Sequence, residues 1–376
     1  MRILVTGGAG FIGSHIADHY AGQGHDVIVL DNFSRFKTLG RSIGDPTFNL
    51  NWLKKKHKKI TFVKGDVTSV RDITEHTKGI DVIFHTAGQV AVTASIREPL
   101  ADFRANVIGT INVLEAARKE DSALLFCSTN KVYGDNVNEI AVRARETRYE
   151  FDDPDYKNGI SESLSVDLCA HSPYGCSKLC ADEYVQEYGR SYGLKAGVFR
   201  MSCIYGERQF GLEDQGWISW FAIATLTDRL LTIYGDGKQL RDVLYVGDLV
   251  EAFDRFVKSH LKCEVFNVGG GKTNTLSLVE LLRILKDLTG QEPRIQYDEW
   301  RPHDQKVYVS DVSKAKKKIQ WHPTTAPKDG ISQLVKWTVA NLRLFENARF
   351  QHRESLLSRT SPLHSRIGPS HPAANS

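Results

Sequence analysis

Short apolar runs alternate with stretches of helical period through the first two-thirds of the chain. Strands are predicted at residues 3–6, 27–30, 60–63, 82–85, 124–128 and 196–200, with amphipathic helices such as 12–23 and 101–119 between several of them. Each strand reads as a near-continuous apolar run rather than an alternating one. Such runs, separated by helices, belong to a parallel sheet covered on both faces. The pattern predicts an α/β fold, a Rossmann-like doubly wound parallel sheet.

After residue 200 the rhythm breaks. Irregular glycine-containing segments at 205–216 and 235–237 interleave with helices, and a helix–strand unit at 249–259 and 265–268 rejoins the sheet. The expected organisation is a nucleotide-binding Rossmann domain over 1–200, with 242–270 returning to it. A smaller, discontinuous C-terminal substrate-binding lobe is built from 201–241 and 271–346. From 347 to 376 the composition turns to Ser, Pro, His and Arg, which predicts a disordered tail.

Composition narrows the class. At 376 residues, 41% apolar and 25% charged, the chain is neither a wholly disordered protein nor a collagen or disulfide scaffold. No apolar run approaches the roughly 20 residues needed to span a bilayer, so no membrane partner is expected. A net charge of +4 is too slight to call for nucleic acid. The basic run at 54–59 contains no aromatic residue and reads as a solvated helix end. Six cysteines form no C-x-x-C pair and no histidine pair completes a site, so no metal is expected. Reduced thiols, and a chain that opens on a strand rather than a signal segment, point to the cytoplasm.

Candidate chemistry begins at the first turn. Gly7, Gly10 and Gly13 follow the first strand and open a helix, a spacing that lets backbone approach a pyrophosphate at the helix N-terminus. Asp31 and Asn32 end the next strand about 20 residues on, where an acid bonds ribose hydroxyls. Asp31 would repel a 2′-phosphate, which favours NAD over NADP, although Arg35 and Lys37 stand nearby. Asp66 and Val67 follow the third strand and suit an adenine edge. Thr86, Ala87, Gly88 and Gln89 follow the fourth, at successive carboxyl ends of an open sheet. Gly269, Gly270, Gly271, Lys272 and Thr273 imitate the end of a phosphate-binding loop, but Phe266 stands where its first glycine belongs. This segment reads as a turn.

Tyr174 and Lys178 are four residues apart and share a helix face. An ammonium beside the phenol favours phenolate, lowering the tyrosine pKa toward neutrality and making it a general base. Ser128 and Thr129 end the fifth strand: Thr129 is expected to bond the reacting sugar hydroxyl and Ser128 to shape the floor of the site.

These residues together resemble the extended short-chain dehydrogenases/reductases, the NAD-dependent epimerase/dehydratase family, over roughly residues 1–347. The resemblance implies that Phe11, Ile12, Ser34, Arg35, Gln89, Asn106, Ser128, Tyr174 and Lys178 also belong to the NAD site, Asn106 as a support for the active-site helix. It further implies that Arg241 and Arg301 hold the diphosphate of a nucleotide-sugar substrate, two guanidinium forks on a pyrophosphate. Helices at 101–119 and 174–192 resemble the family's dimer-forming pair, so a homodimer or homotetramer is expected.

Within the family, dehydratases carry Asp-Glu after the catalytic threonine, whereas this chain has Asn130 and Lys131. Neither supplies the carboxyl that elimination of water needs, so dehydration is not expected. The segments 128–135, 172–178, 201–206, 208–210 and 214–217 instead resemble the CDP-paratose (CDP-tyvelose) 2-epimerases. That resemblance implies a C2 epimerisation: Tyr174 takes the C2 hydroxyl proton, NAD accepts hydride from C2, and hydride returns to the opposite face of the 2-keto sugar. Thr129, Asn130, Lys131, Cys203, Gln209, Arg241 and Arg301 are the expected substrate-binding residues. Cys203 departs from the asparagine that most of the family carries. A UDP-hexose 4-epimerase, a decarboxylase, a reductase and a catalytically silent relative are the competing readings.

Overall fold

A computed structural model describes residues 1–39, 44–301 and 304–346. The tail expected at 347–376 lies outside the described residues, as do Pro302 and His303 beside Arg301 and the side chain of Lys37. The predicted strands all form: β1 (Arg2–Thr6), β2 (Asp26–Asp31), β3 (Ile60–Lys64), β4 (Val82–His85), β5 (Ala123–Thr129), β6 (Ala196–Met201) and β7 (Cys263–Val268). They make one parallel seven-stranded sheet in the order β7-β6-β5-β4-β1-β2-β3. The order reverses between β1 and β4, which lie in register from Ile3↔Val82 to Thr6↔His85. Open α/β sheets bind ligands in the crevice beyond the carboxyl ends at such a reversal.

The continuous apolar runs are explained by burial on both faces. Ile3 and Val5 pack with Ile16, Phe253 and Trp321 on one side, and Leu4 packs with Val113, Leu114 and Val185 on the other. Each fully buried side chain of this size contributes about 1.5–3 kcal/mol. The covering helices include α1 (Phe11–Gly22), α2 (Gly109–Glu120), α3 (Pro173–Tyr192) and α4 (Val246–Lys258).

The single helix expected at 101–119 is divided. Pro99–Phe103 is α-helical, Arg104–Ile108 forms a π turn, and α2 follows. A π turn inserts an extra residue and re-aims the side chains inside it. Here the turn contains the buried Asn106, whose bonds are described below.

The lobe is assembled from separated pieces. Its hub is the strand Leu240–Tyr245, parallel to Cys203–Tyr205 and Val307–Tyr308 and antiparallel to Thr275–Ser277. This strand crosses the expected boundary at 241/242, and the return to the main sheet is made by α4 and β7. Conversely, Ala315, Ile319 and Trp321, expected in the lobe, pack into the core of β1, and Trp321 Nε1 donates to the Asp248 carbonyl of α4 at 2.8 Å. The apolar stretch Trp217–Leu226 is a helix buried in the lobe core. The insert after β5 carries a hairpin, Val142–Ala144 with Tyr149–Phe151, tied to the lobe by Arg148 Nε and Glu280 Oε1 at 2.7 Å. Among the described residues no helix is long and apolar enough to cross a membrane.

The 54–59 run closes the helix Phe48–Lys56, with Lys56 on Asp18 at 2.8 Å. Gly269 to Gly271 form the turn after β7. A Cβ on Gly269 would fall 2.0 Å from Asp242 Oδ2, so glycine is required there by packing rather than by a phosphate.

Candidate active site

The glycine loop closes tightly over β1. Gly7 adopts a φ of +68°, and a Cβ on Gly13 would lie 2.4 Å from the Gly7 carbonyl oxygen. Only glycine lets α1 cross so near its own loop. Gly10 caps α1 without a side chain, and a helix leaves its first N–H groups free for an anion. At the end of β2, Asp31 Oδ2 accepts from Ala9 N at 3.0 Å and Oδ1 from Phe33 N at 2.8 Å. Burial pushes the Asp31 pKa up, against these bonds. Asn32 Nδ2 donates to Asp66 Oδ2 at 2.9 Å, and Ser34 N donates back to Asn32 Oδ1 at 2.8 Å. Val67 is buried, and its carbonyl accepts from Asn112.

Arg35 turns toward the lobe. Its Nε and Nη2 donate to Gln215 Oε1 at 3.1 and 2.7 Å, and Nη2 also to the Phe210 carbonyl at 2.8 Å. Between these elements lies a cleft of about 530 Å³, walled by Gly10, Phe11, Asp31 and Arg35 on one side and by Asn49, Arg208, Gln209 and Phe210 on the other. Asn49, Arg208 and Gln209 each carry a buried polar atom without a hydrogen-bond partner. Together with the glycine cradle, these orphaned groups fit a polar, phosphate-bearing dinucleotide. Gln209, expected among the substrate residues, lines this cleft and donates to the Ile204 carbonyl at 3.1 Å.

The loop after β4 is fixed from behind. Thr86 Oγ1 donates to the Thr6 carbonyl at 2.7 Å, and Ala87 N donates to Thr6 Oγ1 at 3.4 Å. Gln89 N donates to Asn106 Oδ1 at 2.9 Å, and a Cβ on Gly88 would press on the same oxygen at 2.7 Å. Asn106 Nδ2 donates to Ser177 Oγ at 3.0 Å and Asp102 Oδ1 at 3.2 Å. Asn106 thus ties the loop to α3.

Tyr174 stands in the first turn of α3, whose N-cap Ser172 accepts from Gly175 N and whose first residue is Pro173. The Thr129 hydroxyl at the end of β5 lies beside the Tyr174 phenol and favours its charged form. One turn on, Lys178 Nζ donates to the Cys127 carbonyl at 2.6 Å and lies 4.0 Å from the centroid of Phe126. The expected depression of Tyr174 by Lys178 is absent. Burial pushes the phenol up to about 12, opposed by the neighbouring Thr129 hydroxyl, and the ammonium is held by the strand carbonyl. Burial also lowers Lys178 to about 8. Ser128 Oγ donates to Asp182 Oδ2 at 2.6 Å. Asp182, which sequence reasoning missed, lies four residues beyond Lys178 on the same helix face and pairs with Arg200.

The residues expected to bind substrate lie partly in the turn after β5 and partly in the lobe. Thr129 Oγ1 lies 3.3 Å from Asn130 Oδ1, and Lys131 Nζ lies 3.4 Å from Gln305 Oε1. Arg241 Nη2 donates to Asp304 Oδ1 at 2.8 Å, and Gln305 N donates to the same oxygen at 3.0 Å. Cys203 Sγ accepts from Trp217 Nε1 at 3.3 Å, and burial pushes its thiol up. Lys131, Cys203 and Arg241 therefore share one neighbourhood. Asp304 and Gln305, which complete it, were legible only as neighbours of Arg301. Arg301 stands with different partners, over the Tyr234 ring at 3.9 Å and 3.9 Å from Asp214 Oδ1. Among the described residues no cluster of His, Cys, Asp or Glu could hold a metal ion.

Known proteins share this architecture. The NAD dependent epimerase/dehydratase family matches residues 3–269. The chain is 42% identical to a CDP-paratose 2-epimerase of Salmonella typhi, over 90% of this chain and 99% of that one. It is 35% identical to a putative UDP-glucose 4-epimerase of Methanocaldococcus jannaschii, over 91% and 99%. The crystal structure of a Thermotoga maritima UDP-glucose 4-epimerase with UDP-glucose superposes with a TM-score of 0.75 at 30% identity, covering 91% of this chain and all of that one. Glycine cradle, Thr129–Tyr174–Lys178 centre and these matches agree: the chain belongs to the NAD dependent epimerase/dehydratase family and is an NAD-using enzyme.

Proposed function

We propose that this protein is an isomerase that inverts C2 of a nucleotide-activated deoxyhexose, of the CDP-paratose to CDP-tyvelose kind. The observation that carries the reading is the Thr129–Tyr174 hydroxyl pair at the carboxyl edge of the sheet, followed by Asn130 and Lys131 instead of two carboxylates. The 42% identity to a CDP-paratose 2-epimerase supports it.

Gly7, Gly10 and Gly13 cradle the dinucleotide with Asp31, Asn32 and Ser34 at its ribose side, and Asp66 and Val67 at the adenine. NAD, when bound, supplies the hydride acceptor and donor for the sugar carbon. Tyr174 takes the proton from the reacting hydroxyl and gives it back, and Thr129 holds that oxygen in place. Lys178, cationic below about pH 8 and held by the Cys127 carbonyl, is a fixed positive charge at the cofactor side of the site. Arg241 and Arg301 hold the diphosphate by charge-assisted bonds, a fixed pivot about which the oxidised sugar turns.

Homo-oligomerisation belongs to the same reading. Phe103, Ile108 and Tyr184 are exposed on the two helices expected to pair, and Leu100, just before the first, is 71% exposed. Six free cysteines support a reducing, cytoplasmic setting.

The test is incubation of the purified protein with CDP-paratose, UDP-glucose and UDP-glucuronate separately, with product NMR at C2 and C4. Inversion at C2 of the CDP sugar is the expected result. Inactivity there with turnover of UDP-glucose would replace this reading by a 4-epimerase.

A further inference from the structure

The turn that carries Thr129 also carries a cation. Lys131 N donates to Thr129 Oγ1 at 3.3 Å, so the two residues share one short turn after β5. The Lys131 side chain runs from that turn toward the lobe, where Nζ meets Gln305 Oε1 at 3.4 Å. Gln305 is 2% exposed, and its own N–H is fixed on Asp304 Oδ1, the oxygen that accepts from Arg241. An ordered chain, Lys131–Gln305–Asp304–Arg241, therefore joins the catalytic turn to the arginine of the opposite wall.

Two cations close together in a partly buried wall disfavour each other, and Arg241 adds to burial in lowering Lys131. Asp304 is the carboxylate bonded to Arg241, while a neutral amide, Gln305, stands at hydrogen-bonding distance from Lys131, and Asp304 and Asp135 act on the ammonium as charges. The third side chain at this wall, Cys203, is a weak donor and brings no positive charge. An anion with several oxygens, placed between Lys131 and Arg241, would relieve the repulsion and satisfy the ammonium.

We propose that Lys131 grips the sugar-side phosphoryl group of the substrate diphosphate alongside Arg241, and that this grip presents C2 rather than C4 to Tyr174. The proposal rests on the nucleotide-sugar reading above and deepens it. In a sugar ring the C2 hydroxyl lies one carbon from the phosphorylated C1, whereas the C4 hydroxyl lies across the ring. A phosphate drawn to a cation two residues beyond Thr129 brings the near hydroxyl to the Thr129–Tyr174 pair. A phosphate held only by the more distant arginines would leave room for the far one.

The test measures equilibrium binding of CDP and CMP, and in parallel UDP and UMP, to the NAD-loaded enzyme and to Lys131→Met and Lys131→Arg. CMP lacks the phosphoryl group assigned to Lys131, so its affinity also reports whether the variant is folded. Wild type is expected to prefer diphosphate to monophosphate. Lys131→Met is expected to lose that preference by about tenfold or more, the scale of one charge-assisted bond, with CMP binding unchanged, and Lys131→Arg to restore most of it. Equal weakening of CDP and CMP, or an unaltered preference, overturns the proposal. Tighter binding of the uridine pair removes the cytidine reading and leaves the Lys131 comparison decisive. Binding of none of the four nucleotides overturns both. Quenching turnover with borodeuteride then locates the oxidised carbon: deuterium at C2 in wild type and spread to C4 in Lys131→Met is expected. A label confined to C2 in the variant overturns the assignment of register.

Discussion

Asp182 on α3 grips Arg200 on β6 at two points, Nε to Oδ2 at 3.0 Å and Nη2 to Oδ1 at 3.1 Å, with both side chains buried. The same carboxylate accepts from Ser128 Oγ, one residue before Thr129, and Arg200 reaches on to the Tyr133 hydroxyl at 3.3 Å. Removing one partner of a buried pair leaves an uncompensated charge, at a cost of about 3–5 kcal/mol. Asp182→Ala is therefore expected to lower the urea midpoint steeply. A double variant, Asp182→Leu with Arg200→Met, should recover much of that loss. A single variant as stable as wild type would refute the assignment.

His85 makes folding sensitive to acid. Thr110 spends its hydroxyl proton on the Asn106 carbonyl at 2.6 Å, so His85 Nε2–H donates to Thr110 Oγ1 and Nδ1 accepts from Thr6. Both ring nitrogens are thus satisfied in the neutral form, and burial lowers the pKa from 6.5 to about 3. His15, half-buried beside Arg208, is lowered by desolvation and that guanidinium to about 3. The unfolded chain binds protons near pH 6.5 that the folded chain refuses until about pH 3. Stability is therefore full above 6.5 and falls as pH drops through that window, by up to about 1.4 kcal/mol per unit for each histidine. Calorimetric melts from pH 7.5 to 5 should show the decline, with a shallower slope in His85→Gln.

Gly13→Ala places a Cβ 2.4 Å from the Gly7 carbonyl and 2.7 Å from Gly8 Cα, both backbone atoms that cannot step aside cheaply. The variant is expected to lose NAD on desalting, read by cofactor released on denaturation. Gly269→Ala meets Asp242 Oδ2 at 2.0 Å instead. It should depress thermal stability while leaving the glycine cradle able to hold NAD.

Tyr174→Phe should cost about 10²–10⁴-fold in turnover, the range of a general acid–base group, with NAD still retained. Lys178 loses its proton above about pH 8, and with it the positive charge that the Cys127 carbonyl holds in the site. The pH profile of kcat/KM is expected to fall on that side. A variant near wild-type activity would unseat Tyr174 as the base.

Arg241→Ala frees Asp304 and removes one guanidinium fork from the proposed diphosphate site. A rise in KM of roughly tenfold to a hundredfold, the worth of a charge-assisted bond, is expected with a smaller change in kcat. Steady-state kinetics on the nucleotide sugar decide it, and an unchanged KM removes Arg241 from the diphosphate site.

Local features of the chain carried most of the architecture. The seven parallel strands were legible because each is a short apolar run, a direct consequence of burial on both faces of the sheet, as Ile3, Leu4 and Val5 illustrate. The helix at 101–119 was legible as a helix but not as a divided one. Its π turn carries Asn106, whose bonds to Gln89 and Ser177 are tertiary contacts that hydropathy does not register. The lobe boundary was displaced for a similar reason: whether Leu240–Tyr245 joins the large or the small sheet depends on its partners.

By itself the sequence determined the fold class and the glycine cradle and singled out Thr129, Tyr174 and Lys178 as candidates, since period and spacing act within a few residues. Only the tertiary structure decided what those groups do to one another. The i, i+4 spacing brought Tyr174 and Lys178 to one helix face, but β5 supplied the carbonyl that claims the ammonium, and burial moved the phenol upward. The chain Lys131–Gln305–Asp304–Arg241 joins residues up to 174 positions apart. Partnerships across such separations are set by how strands and loops pack, because hydrogen bonding and desolvation depend on distance in space and not on distance along the chain.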